Sequence, residues 1–232
     1  MKMTKLSENL SISSIAQGFW RLAGWKWSTG ELVDFMNACI DRGVTTFDTA
    51  EVYSGGLCET LMGEAFARDP SIRKKIQLVS KTGIFKEIID GKPFGYYNTT
   101  YDRVVASCKE SLGRLHTDYL DLYLIHREDP CFDPWETGRA LQDLKKEGLI
   151  REAGVSNFDP FKFDALNQAM GGTLVTNQIE WNPVCFEHFD SGMMDYLTVR
   201  RIHPMIWSKI RNAQRRWQRS GKLPSGTKRS RQ

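Results

Sequence analysis

TTFDTAEVYSGG, residues 45–56, sets the reading of the whole chain. A short run, Thr45 to Phe47, ends in the carboxylate of Asp48. A phenol, Tyr53, follows five residues later, just before a glycine pair. The run is apolar and β-branched with no period-two alternation, as expected of a strand buried on both faces. Upstream, Thr29–Arg42 carries Leu32, Phe35, Met36, Cys39 and Ile40 at helical spacing. Ser28 or Thr29 can cap its start, and Gly43 stands just past its end.

The same unit recurs along the chain. Strand-like runs are expected at Ile15–Gly18, Thr45–Thr49, Ile76–Ser80, Tyr119–His126, Glu152–Ser156, Leu174–Ile179 and His203–Trp207. Helices are expected over Thr99–Leu112 and Pro134–Glu147, with Gly113 and Gly148 as terminal glycines, and a further helix after Asp159-Pro160. Repeated βα units predict a parallel α/β architecture, either a doubly wound sheet or a (βα)₈ barrel. No G-x-G-x-x-G follows the first strand, which favours the barrel over the dinucleotide-binding doubly wound fold.

Polar groups stand at the carboxyl ends of successive strands. The second ends in Asp48, the third reaches Lys81, the fourth ends at His126, the fifth at Ser156 and Asn157, and the sixth carries Gln178. In a parallel barrel those ends converge on one face, where active sites of this fold lie. Taken singly, each residue has an ordinary reading. An Asp after a strand is commonly a turn residue, a Lys a solvated end, and a His a hydrogen-bonded core residue. Together they have a coherent use. A phenol is a poor acid near neutrality. An adjacent ammonium is expected to lower its pKa, and a carboxylate to hold that ammonium charged. The result suits protonation of a carbonyl oxygen.

FDTAEVYSGG, SKTG, LYLIH, GVSNF and NQIEWNP, in this order, resemble the aldo-keto reductase superfamily from about Ile15 to Ser208. The resemblance implies a (βα)₈ TIM barrel and NADP(H)-dependent interconversion of small carbonyl compounds and alcohols. It implies a catalytic set of Asp48, Tyr53, Lys81 and His126. Nicotinamide contacts then fall on Ser156, Asn157 and Gln178, with Trp207 stacking on the ring and Ser208 opening the loop toward the pyrophosphate. Trp20 and Trp181 are candidates for the substrate pocket, with core packing as the alternative for both.

Charge divides the chain. Nine of its 32 Lys and Arg lie in residues 209–232, which contain no acid, leaving 23 against all 28 acids in residues 1–208. The last stretch also lacks a strand-like run. The sequence therefore predicts a reductase-like barrel over residues 1–208 that stops after seven strands. A basic, disordered tail is expected over 209–232, with the look of a reading-frame change or a disrupted gene. An incomplete barrel makes an inactive reductase, or a non-catalytic NADP(H)-binding protein, the alternative reading. A nucleic-acid role for the tail is a further one, less favoured than plain disorder. The five cysteines are scattered and odd in number, with no C-x-x-C pair, which points to a reducing cytoplasm and to no zinc site. The histidines show no ligand spacing, so no metal is expected. The N-terminus has no apolar signal segment, and no run is long enough to span a membrane. Oligomeric state, substrate identity and NADPH-against-NADH preference are not legible.

Overall fold

A computed structural model describes residues 1–183 and 185–207. The chain opens with an antiparallel pair, β1 (Met3–Lys5) and β2 (Ser11–Ser13). It then runs β3 (Ala16–Gly18), α1 (Thr29–Asp41), β4 (Thr46–Asp48), α2 (Leu57–Arg68), α3 (Ser71–Lys75) and β5 (Gln77–Thr82). A hairpin of β6 (Ile84–Ile89) and β7 (Lys92–Tyr97) precedes α4 (Tyr101–Leu115), β8 (Leu120–Ile125), α5 (Pro134–Lys146), β9 (Ile150–Ser156) and α6 (Pro160–Ala169). The described part closes with β10 (Asn177–Glu180), α7 (Glu187–Asp190), α8 (Met193–Val199) and β11 (Met205–Trp207).

Seven strands form one sheet in the order β3-β4-β5-β8-β9-β10-β11, all parallel. Neighbours in the sheet are neighbours in the chain, with only the β6–β7 hairpin set aside, which is the winding of a (βα)₈ barrel. Among the described residues β3 and β11 are its two edges, as in a barrel short of its eighth strand. The sheet is strongly curled. Asp48 ends β4 and Gln178 lies in β10, four strands away, yet their side chains are 2.8 Å apart. A flat sheet would hold them about 19 Å apart at ~4.8 Å per strand.

Both faces of the sheet are buried, as the uniform runs predict. In β8, Leu120, Tyr123 and Ile125 join the core beneath the helices, while Leu122 and Leu124 point into the barrel. The inner set also contains Val79, Val175 and Met205, and it is closed off by Leu10 and Ile12 from the N-terminal pair. Ser13 ties that pair to β4, its backbone N–H donating to Thr46 Oγ1 at 2.8 Å.

Local signals account for most helix boundaries. Ser28 and Glu31 form a reciprocal capping box at the start of α1. Asp133 and Asp159 cap α5 and α6, each followed by a proline in the first turn. Gly113 is a correction. It lies inside α4, which continues to Leu115 and ends at His116 in the left-handed region, φ 50°. Burial of Leu115 in the core carries the helix past the glycine. Where α2 crosses α4, a Cβ on Gly63 would come within 2.0 Å of the Arg114 carbonyl oxygen, so only glycine fits.

The N-terminal pair, the β6–β7 hairpin, α2, α3, α7 and α8 had no expectation of their own. No described helix is long and apolar enough to cross a membrane. Ser208 and the basic segment 209–232 lie outside the described residues.

Candidate active site

The four residues of the implied catalytic set meet at the carboxyl-terminal face of the sheet. Asp48 closes β4 and Lys81 lies within β5. His126 directly follows β8, its backbone N–H bonded to Thr82 O at 2.8 Å. Tyr53 sits on the loop after β4. That loop turns back through three successive left-handed residues, Ser54, Gly55 and Gly56, with φ 53°, 65° and 89°. The two glycines adopt that region without the penalty a Cβ brings.

The ammonium of Lys81 is wholly buried. It donates to Asp48 Oδ1 at 2.6 Å, to Thr49 O at 2.7 Å and to Tyr53 Oη at 3.4 Å. The Tyr53 and His126 rings meet edge to face, centroids 5.6 Å apart. Burial works against the charge on Lys81, but the Asp48 carboxylate and the Tyr53 oxygen outweigh it and the pKa moves up. Lys81 is therefore an ammonium at any physiological pH.

The phenol moves in the opposite direction to the sequence expectation. Burial raises the Tyr53 pKa; Lys81 pulls it down, Asp48 pushes it up, and the balance stays above the ordinary value. Desolvation, invisible in the sequence, wins over the neighbouring cation. Tyr53 is thus firmly protonated at neutrality. His126 is displaced the other way. Burial, then the charges of Lys81 and Arg127, hold its pKa well below the usual imidazole value, so it is neutral. Its Nδ1 is buried and has no hydrogen-bond partner among the described residues.

A second network lies beside the first. Ser156 Oγ and the Asn157 backbone N–H both donate to Gln178 O, at 2.8 and 2.9 Å. Asn157 Nδ2 donates to Ser156 Oγ at 2.7 Å, and Asn157 Oδ1 accepts from Trp207 Nε1 at 2.9 Å. Asn157 holds φ 60°, a conformation asparagine tolerates better than most residues. The two networks join through Gln178, whose Nε2 donates to Asp48 Oδ2 at 2.8 Å.

A cavity of ≈ 880 Å³ opens over these groups. Asp48, Tyr53, His126, Ser156, Asn157, Gln178, Trp207 and Trp20 all line it. Trp181 does not: its ring packs against Phe189, centroids 5.4 Å apart. It follows β10 but turns toward the short helix α7, and it stays 43% exposed. Ser208 lies outside the described residues. Several lining residues had not been expected, among them Ile84 and Lys86 on the hairpin and Arg127 directly after His126. The signal for Arg127 was its place next to a strand-end histidine. The signal for the hairpin was Asp90-Gly91, with φ 50° and 74°, a pair that favours a tight turn between strands. Among the described residues, no His, Cys, Asp or Glu cluster could hold a metal.

A flat indole fixed by a side-chain amide, beside hydroxyl and amide groups in a roomy cleft, suits a planar amide-bearing ring such as nicotinamide. A model of the aldo/keto reductase family matches residues 14–228, and the chain belongs to that family of oxidoreductases. It is 41% identical over 212 residues to the uncharacterized oxidoreductase YcsN of Bacillus subtilis (strain 168), covering 90% of this chain and 71% of that protein. It is 37% identical over 213 residues to a 6-dehydroglucose reductase of Agrobacterium fabrum, covering 90% and 72%. Among solved structures, the thermostable aldo-keto reductase Tm1743, in complex with the inhibitor epalrestat, superposes with a TM-score of 0.76. Its sequence identity is 26%, over 96% of this chain and 82% of that one.

Proposed function

We propose that this chain is an NADP(H)-dependent reductase of aldehydes and ketones in which Tyr53 donates the proton. One observation carries the reading: a wholly buried ammonium, Lys81, held between Asp48 and Tyr53, two side chains that line a large cavity. Burying an ion pair is weak as a source of stability, because desolvation offsets most of the attraction. A charge kept there beside a phenol has a chemical use.

When bound, the nicotinamide supplies the hydride to the carbonyl carbon or takes it from the alcohol. The chain does the rest. Ser156, Asn157 and Gln178 offer amide and hydroxyl partners to the carboxamide, and Trp207 offers a stacking face. His126, neutral, hydrogen-bonds the substrate oxygen. Tyr53 Oη gives its proton to that oxygen, and Lys81 stabilises the phenolate left behind; Asp48 holds Lys81 in register. The order of the sequence motifs supports NADP(H) as the cofactor. The described cysteines, all free thiols, support a reducing cytoplasm as its home.

The test is turnover of NADPH with a panel of small aldehydes by wild type and by Tyr53→Phe. Wild type is expected to oxidise NADPH only when a carbonyl is present. Tyr53→Phe should lose at least about a hundredfold in kcat while still quenching NADPH fluorescence. Equal rates for the two proteins sink the assignment of Tyr53. No carbonyl-dependent turnover by wild type sinks the reaction itself.

A further inference from the structure

The cavity carries charge that the proposed reaction does not use. Five of its lining residues can ionise: Asp48, Tyr53, Lys86, His126 and Arg127. Asp48 is matched by Lys81 at 2.6 Å, and His126 and Tyr53 are neutral. Two positive charges remain, Lys86 and Arg127. Among the described residues neither side chain has a hydrogen bond or an ion pair; the Arg127 guanidinium carbon lies 5.8 Å from the Trp207 ring.

Several cations elsewhere in the chain are paired with acids. Arg114 is bound to Glu59 at 2.7 Å and Lys145 to Glu152 at 2.7 Å. The acids around the cavity face elsewhere. Glu128, next to Arg127 in the chain, pairs with Lys162 at 3.0 Å. Asp129 accepts from the Cys131 N–H, Glu180 from Asn182 and Glu51 from Thr82. A cleft walled by one sign of charge concentrates the opposite sign in a ligand.

Position separates this charge from the cofactor's phosphates. Lys86 follows β5 and Arg127 follows β8, neighbouring strands third and fourth in the sheet. The groups proposed to hold the nicotinamide come from β9, β10 and β11. Phosphates in barrels of this kind are usually held by the loops after the seventh and eighth strands. By strand order the two cations lie apart from those phosphate-holding loops, with Arg127 adjacent in sequence to His126 and near the Trp207 ring. A guanidinium matches a carboxylate in a planar, two-point fork. A lysine on the hairpin adds a second, longer-reaching charge.

Resting on the reductase reading, we propose that the preferred substrate is a carbonyl compound bearing an anionic group, above all a carboxylate, held by Arg127 and Lys86 while the carbonyl faces Tyr53 and His126. The neutral counterpart is reduced less efficiently because it leaves both charges unmatched.

Two measurements test this. The first compares kcat/KM for succinic semialdehyde with that for butanal, which differs in lacking the carboxylate. Wild type should favour the oxo acid by about tenfold to a hundredfold, the range of a charge-assisted pair, through KM and less so at high salt. Arg127→Leu and Lys86→Ala should each bring that ratio down toward one, and Arg127→Lys should restore part of it. A glyceraldehyde 3-phosphate arm, against glyceraldehyde, tells carboxylate from phosphate; a larger gain there reassigns the anion to phosphate and overturns the carboxylate preference. The second measurement needs no turnover. Succinate, unreactive, is titrated against tryptophan fluorescence, to which Trp207, Trp20 and Trp25 in the cavity contribute. A saturable change in wild type that is lost in the Arg127→Leu/Lys86→Ala pair supports the anion site even if no aldehyde is reduced, in which case only the reductase reading falls. Reduction of both aldehydes with equal efficiency, or no saturable response to succinate, overturns the anion site and leaves the reductase reading standing.

Discussion

Gln178 Nε2 donates to Asp48 Oδ2 across the barrel at 2.8 Å, and the other oxygen of the same carboxylate holds Lys81 at 2.6 Å. The residue expected to touch the nicotinamide is thus also a partner of the proposed catalytic carboxylate. Gln178→Leu strips one oxygen of its donor in a largely buried site and should cost about 1–3 kcal/mol, read from chemical denaturation. It should also lower kcat as well as NADPH affinity, because Asp48 loses its anchor. A variant impaired in cofactor affinity alone would show that the bond to Asp48 has no part in positioning it.

The Asp48–Lys81 pair predicts an asymmetry. Asp48→Ala leaves a wholly buried ammonium without its carboxylate and should destabilise the fold by about 3–5 kcal/mol. Lys81→Met replaces the ammonium by an apolar chain of similar length and should cost less. The double variant should fall well short of the sum of the two. Denaturation midpoints of the four proteins complete the cycle; additive losses would mean the pair is not coupled.

The two shifted groups fix the pH behaviour. Tyr53 is raised by burial, so the proton donor is loaded through neutrality and reduction should decline only on the alkaline side of the ordinary tyrosine range. A fall in kcat beginning near neutrality would contradict that. His126 is depressed below 6.5. Below that pH the unfolded chain takes up a proton that the folded chain refuses, so this contribution to stability is present above 6.5 and drains away as pH falls toward the folded value. His126→Gln should flatten the acid side of the stability curve, measured as denaturation midpoints at stepped pH.

Gly63 offers a purely structural test. The Arg114 carbonyl stands where an alanine Cβ would be, at 2.0 Å. Gly63→Ala must push α2 from α4 and should cost about 1–3 kcal/mol or more. It should also loosen the nearby Arg114–Glu59 pair. An unchanged melting temperature would mean the two helices separate freely.

What the sequence could reveal followed from which forces act locally. The run LDLYLI, apolar on both faces, could only be a doubly buried strand, and Ser28, Asp133 and Asp159 announced their helices. Strand ends carrying Asp48, Lys81 and His126 converge because a parallel barrel allows nothing else. Effects that depend on depth or on distant packing did not show. The upward shift of Tyr53 comes from desolvation, the Gln178–Asp48 bond from curl across five strands, and the diversion of Trp181 from Phe189. The β6–β7 hairpin was marked by Asp90-Gly91 and could have been found, and with it Lys86.

The N-terminal pair that floors the barrel has a consequence for the order of assembly. Leu10 and Ile12 are buried with Val175 and Met205, more than 160 residues further along the chain. That stopper cannot seat until the sheet has curled around the place it will occupy. Contacts of such long sequence separation form slowly. Folding should therefore end with a late step in which Leu10 and Ile12 drop into the base of an already formed wall. Removing residues 1–13 should leave the early, helix-forming phase intact and abolish that final one.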